Sequence, residues 1–98
     1  MYILVHHTIT DPQKWNQTTK NITGLIEKNQ LPEGLKALMY LPAVGGGKAD
    51  CVWEARSFDA LRSFLDRETG TAGRNEYVQV DAEAAMGLPG HEEIRKAA

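Results

Sequence analysis

The chain has 98 residues, with 13 acidic and 11 basic side chains and a net charge of −2. Domains ordinarily run to roughly 100–200 residues, so the sequence predicts one domain with a modest core and no second one. The bases are dispersed, which argues against nucleic acid and anionic membrane as partners, and a hydrophobic share of 42% argues against disorder.

Residues 2–9, rich in apolar and β-branched types, read as a strand. Thr10-Asp11-Pro12 ends it and opens a helix, with a capping side chain followed by proline in the first turn, where its missing N–H costs nothing. Trp15, Ile22, Leu25 and Ile26 then recur at helical spacing, opposite Lys14, Lys20, Asn21 and Lys28. Leu31-Pro32-Glu33-Gly34 is turn chemistry, and a second strand follows over 35–41, ended by Pro42. Gly45-Gly46-Gly47 reads as a hairpin tip before a third strand over 49–55. Ser57 caps a second helix whose Phe58, Leu61, Phe64 and Leu65 share one face. Residues 69–74 read as a loop, 76–81 as a fourth strand and 82–86 as one helical turn. A polar C-terminal tail over 90–98 is expected to follow a domain spanning 1–89.

The order β-α-β-β-α-β predicts an α+β, ferredoxin-like layer: a four-stranded antiparallel sheet with two helices on one face. A single cysteine, Cys51, excludes an internal disulfide and gives no thiol cluster for zinc. The apolar run at residues 2–5 stops at His6, short of a signal-peptide core or of the roughly 20 residues that span a bilayer, so a soluble cytoplasmic protein is expected.

Strand alternation sorts the side chains by face. One set holds Ile3, Val5, His7 and Ile9; Leu35, Ala37, Met39 and Leu41; Cys51, Trp53 and Ala55; Val78 and Val80, and should pack beneath the helices. The other holds Tyr2, Leu4, His6 and Thr8; Lys36, Leu38 and Tyr40; Asp50, Val52 and Glu54; Tyr77, Gln79 and Asp81. This second face is too apolar to be left in water, and pairing with a second copy about a two-fold axis would bury it.

Strand 1 running into Asp11-Pro12-Gln13-Lys14-Trp15, Val52-Trp53-Glu54-Ala55 feeding the Ser57 helix, and the closing Glu76-Tyr77-Val78-Gln79-Val80-Asp81 strand resemble the dimeric α/β barrel superfamily over residues 1 to 89. The resemblance implies a homodimer whose sheets pack into a barrel. It also implies ligands bound between sheet and helices or inside the barrel, in a superfamily that includes cofactor-free monooxygenases and muconolactone isomerases. It names no reaction: the second helix lacks the histidine that haem-degrading members use, and no Asn–Trp oxygenase pair matches.

His6 and His7 are adjacent in a strand and point to opposite faces, which argues against a shared metal ion. His6 is expected beside Val52 on the central strand pair, with Asp50 and Glu54 within reach. It is then a candidate acid/base oriented by a carboxylate, or an interfacial histidine in a hydrogen-bonded network. Tyr40, Tyr77 and Gln79 are candidates to position polar atoms of a ligand. His7 and Trp53 are candidate ligand contacts on the helix side, or plain core residues. Cys51 is expected to be a buried, inert thiol. Gly45-Gly46-Gly47-Lys48 lacks the spacing and the following Ser/Thr of a phosphate loop.

Two functions are therefore carried forward. One is an oxygenase- or isomerase-like enzyme acting on a small apolar or aromatic metabolite without a bound cofactor. The other is a non-catalytic module that binds a small organic ligand or a partner protein.

Overall fold

A computed structural model describes residues 1–89, and the expected tail over 90–98 lies outside them. Six elements follow in order: β1 (Tyr2–Ile9), α1 (Pro12–Glu27), β2 (Leu35–Pro42), β3 (Lys48–Ala55), α2 (Phe58–Thr69) and β4 (Gly73–Val80). The strands form one antiparallel sheet in the order β2-β3-β1-β4 with both helices on one face, a ferredoxin-like α+β fold. Among the described residues no helix is long and apolar enough to cross a membrane.

Local chemistry accounts for the boundaries. The Asp11 side chain accepts from the Lys14 N–H and Pro12 occupies the first helical turn, while Ser57 accepts from the Ala60 N–H. α1 ends where Asn29 takes the left-handed conformation (φ 55°) and its N–H returns to the Ile26 carbonyl. Gly45, Gly46 and Gly47 all have φ of 80–89°, so the β2–β3 hairpin needs residues without a Cβ. Ile3, Val5, Leu61 and Leu65 are fully buried between sheet and α2, each contributing about 1.5–3 kcal/mol by removal from water.

Two strands, β2 and β4, differ from the alternation expected of the sequence. β2 continues through Pro42, and a bulge interrupts its pairing with β3 between Ala37 and Met39. The extra residue, Leu38, reverses every side chain after it. Tyr40 becomes the partner of Cys51 and turns under the helices, while Met39 and Leu41, opposite Val52 and Asp50, turn to the open face. β4 begins at Gly73 rather than at residue 76, consuming part of the expected loop. Its partners on β1 are His7↔Asn75, Val5↔Tyr77, Ile3↔Gln79 and Leu4↔Val78. Cross-strand partners share a face, so Tyr77 and Gln79 lie on the helix side and Val78 and Val80 on the open side, the reverse of the expectation. The polar heads are tolerated beneath α2 because it supplies partners: Tyr77 donates to Asp66 Oδ1 at 2.6 Å and its ring meets Phe58 edge-on.

The open face is ordered in rows. Met39, Val52, Leu4 and Val78 form an unbroken apolar row across all the strands. Leu41, Asp50, His6 and Glu76 form the row on one side of it, and Lys36, Glu54, Tyr2 and Val80 a row on the other. The ends of this face are exposed, Val78 by 58% and Leu41 by 53%, while Val52 at its centre is buried at 6%.

Candidate functional site

Between α1 and the β1–β3–β2 side of the sheet lies a cavity of about 270 Å³. Apolar walls come from Ile22, Ile26, Ala37 and Leu65, and the polar atoms gather around His7, which β1 turns toward the helices. Pockets for small organic molecules ordinarily start near 300 Å³ and combine apolar walls with a few convergent polar groups, and this cavity has that make-up at the small end of the range.

The hydrogen bonds around His7 fix the position of its proton. Asn75 faces Asp66 Oδ1 at 3.0 Å, and a carboxylate offers only lone pairs, so the atom turned to it is the amide nitrogen. That nitrogen also reaches Thr69 Oγ1 at 3.0 Å and Tyr77 Oη at 3.3 Å. The amide oxygen is thereby directed at His7 Nδ1, 2.7 Å away, and as a pure acceptor it requires Nδ1–H. Nε2 carries the lone pair of the neutral ring and lies 3.1 Å from Cys51 Sγ, so the thiol donates to it. Trp53 Nε1–H donates in turn to the same sulfur at 3.1 Å. A continuous chain therefore runs from Trp53 through Cys51, His7 and Asn75 to Asp66.

Burial sets the charge state of this chain. It pushes the Cys51 thiol up to about 12, and it holds His7 below the ordinary 6.5 despite the opposing bond from Asn75. Burial and the Asp66 carboxylate both push the Tyr77 phenol up. At neutral pH the cluster holds a neutral thiol beside a neutral imidazole. Two tryptophans enclose it: the Trp15 ring stands 4.8 Å from the His7 ring, and Trp15 Nε1–H donates to Tyr40 Oη at 3.0 Å. Thr18 ties α1 to α2 by donating to the Glu68 carbonyl at 3.2 Å.

The residues singled out in the sequence are divided between the two faces of the sheet. His7, Trp53 and Tyr40 line the cavity, with Tyr40 brought there by the Leu38 bulge. Tyr77 lies behind it as part of the frame that holds Asn75, and Gln79 borders a separate shallow depression with Tyr2 and Asp81. His6 and Asp50 meet on the open face, directly opposite one another rather than offset by two residues, with Nδ1 to Oδ1 at 2.7 Å. Glu54 pairs with Tyr2 and Lys36, four residues along β3 from Asp50, and stands outside this contact. Thr69 and above all Asn75 were not signalled by the sequence, because Asn75 becomes visible as the partner of His7 only once β4 starts at Gly73.

Among the described residues no group of three or more His, Cys, Asp or Glu side chains is placed to hold a metal ion, and His91 lies outside them. No family model matches the chain, and no curated protein matches it.

Proposed function

We propose that this chain pairs through its open sheet face into a dimeric α/β barrel and binds a small apolar or aromatic molecule in the cavity beneath α1. There His7 serves as the acid/base group of an oxygenase- or isomerase-like reaction that needs no bound cofactor. The observation that carries the reading is the fixed tautomer of His7: Asn75 holds the proton on Nδ1 and leaves a basic Nε2 at the wall of an apolar cavity. A ring held below its ordinary value stays unprotonated at neutral pH, as a general base must. Under this reading the Asp50–His6 contact belongs to the dimer interface, where it sits beside the apolar row Met39–Val52–Leu4–Val78. That face offers the continuous apolar strip a two-fold sheet-on-sheet contact needs.

The test uses indanone, a flat bicyclic ketone with acidic C–H bonds. Amide NMR shifts on titration are expected at Thr18, Ile22, Ala37 and Thr69, and deuterium from solvent is expected to enter the ketone faster with protein present. His7→Gln should lower that protein-dependent rate by about 10²-fold, the lower end of what a positioned base contributes. Shifts confined to the open face, or no shifts at all, would remove the cavity reading. Binding with no His7-dependent exchange would favour the non-catalytic ligand-binding module, a reading supported by the fact that Nε2 already has the Cys51 thiol as its partner.

A further inference from the structure

The thiol next to His7 is placed like a nucleophile and not merely like a core residue. Cys51 is 5% exposed, yet it lines the cavity, and its sulfur lies 3.1 Å from the one imidazole nitrogen that carries a lone pair. The base is oriented in turn by Asn75 at 2.7 Å on the far nitrogen, and Asn75 is itself fixed by Asp66, Thr69 and Tyr77. Nucleophile, base and orienting group each within hydrogen-bond reach of the next is the arrangement that activates a Cys or Ser side chain on unrelated folds. A fourth group faces the same space. Tyr40 is the direct cross-strand partner of Cys51, and its oxygen accepts from Trp15 Nε1, which leaves its own phenolic hydrogen to be donated.

We propose that Cys51, His7 and Asn75 act as nucleophile, general base and positioning residue toward the ester-type acyl group of a small apolar molecule bound in the cavity. The inference rests on the cavity reading above and adds to it a covalent step. Sγ attacks the carbonyl carbon while His7 Nε2 takes the thiol proton; an S–C bond forms and the carbonyl electron pair moves to oxygen, which the Tyr40 hydroxyl meets. The oxyanion collapses, the bond from carbon to the leaving oxygen breaks, and protonated His7 returns its proton to that oxygen. The product is a thioester on Cys51 and a free alcohol. Water then attacks the thioester with His7 again as base, releasing the carboxylic acid and restoring the thiol. Because burial disfavours both charged partners, the thiol gives up its proton within the attack and not beforehand.

The probe is para-nitrophenyl acetate, added to the whole folded chain. Intact-mass and peptide analysis should find one acetyl group per chain, on Cys51, with an initial burst of nitrophenolate of matching size. Cys51→Ala and Cys51→Ser should abolish the burst, and His7→Gln should slow acylation by about 10²-fold. Tyr40→Phe should slow acylation with the thioester still forming on Cys51. Asn75→Ala should slow it too, and should also remove the Nδ1–H signature of His7 in nitrogen NMR, which a merely structural role would leave in place. Acetyl groups found only on lysines or the N-terminus of the folded chain, with Cys51 labelled only after unfolding in urea, would overturn the proposal. Indanone shifts read in parallel separate the two inferences. Cavity shifts without Cys51 acylation sink the nucleophile alone, whereas no shifts and no acylation sink both.

Discussion

Asn75 Oδ1 stands 2.7 Å from His7 Nδ1, and this one bond between β4 and β1 decides which imidazole nitrogen faces the cavity. Removing it has a calculable cost. Asn75→Ala leaves a buried N–H without its acceptor, which should destabilise the chain by about 1–3 kcal/mol. The urea midpoint should fall with an unchanged slope, and an unaltered midpoint would show that the bond holds nothing.

Acid should weaken the fold through His7. Its pKa is lowered on folding, so below the ordinary 6.5 the unfolded chain takes up a proton that the folded chain refuses, and stability falls as the pH drops through that value. The groups facing it are Cys51 on β3, Asn75 on β4 with the Asp66 carboxylate of α2 behind it, and the Trp15 ring of α1, with Asp50 and His6 acting through the sheet. The melting temperature of the wild-type chain should decline from neutral pH to about pH 5.5, and His7→Gln should flatten that part of the decline. Parallel curves for the two would assign the loss to other groups.

The open face should govern self-association. Val78→Arg puts a charge at the end of the apolar row Met39–Val52–Leu4–Val78, on a side chain that is exposed in the single chain. The expected outcome is a dimer that dissociates at least about 10²-fold more readily by sedimentation, with the circular dichroism spectrum of the fold retained. A wild-type chain that sediments as a monomer at micromolar concentration would end the barrel reading.

Gly73 is fixed by packing. A Cβ there would lie 2.8 Å from the Thr8 carbonyl oxygen and 3.0 Å from the Trp15 ring. Backbone cannot yield as a flexible side chain can, so Gly73→Ala should cost about 1–3 kcal/mol, with altered fluorescence from the displaced Trp15. A stable variant with unchanged emission would show that β4 can slide away from α1 freely.

The sequence by itself determined the element order, the Asp11 and Ser57 caps, the glycine hairpin, the buried face of α2 and the inward direction of His7, Cys51 and Trp53. Each of these follows from neighbours within a few residues: a capping side chain, a left-handed turn, a period of two or of 3.6. Alternation sorts one strand at a time and is silent on a bulge within a strand and on how a neighbouring strand is set against it. Only the tertiary structure decided that the Leu38 bulge turns Tyr40 inward and that β4 presents Asn75, Tyr77 and Gln79 to the helices. The valines of β4 looked like core residues because they are apolar, yet Asp66 and Thr69 of α2 satisfy the polar heads of Asn75 and Tyr77 and leave Val78 to the open face. His7 could be read from its own strand. The asparagine that sets its proton, 68 residues away, becomes its neighbour only when the sheet closes.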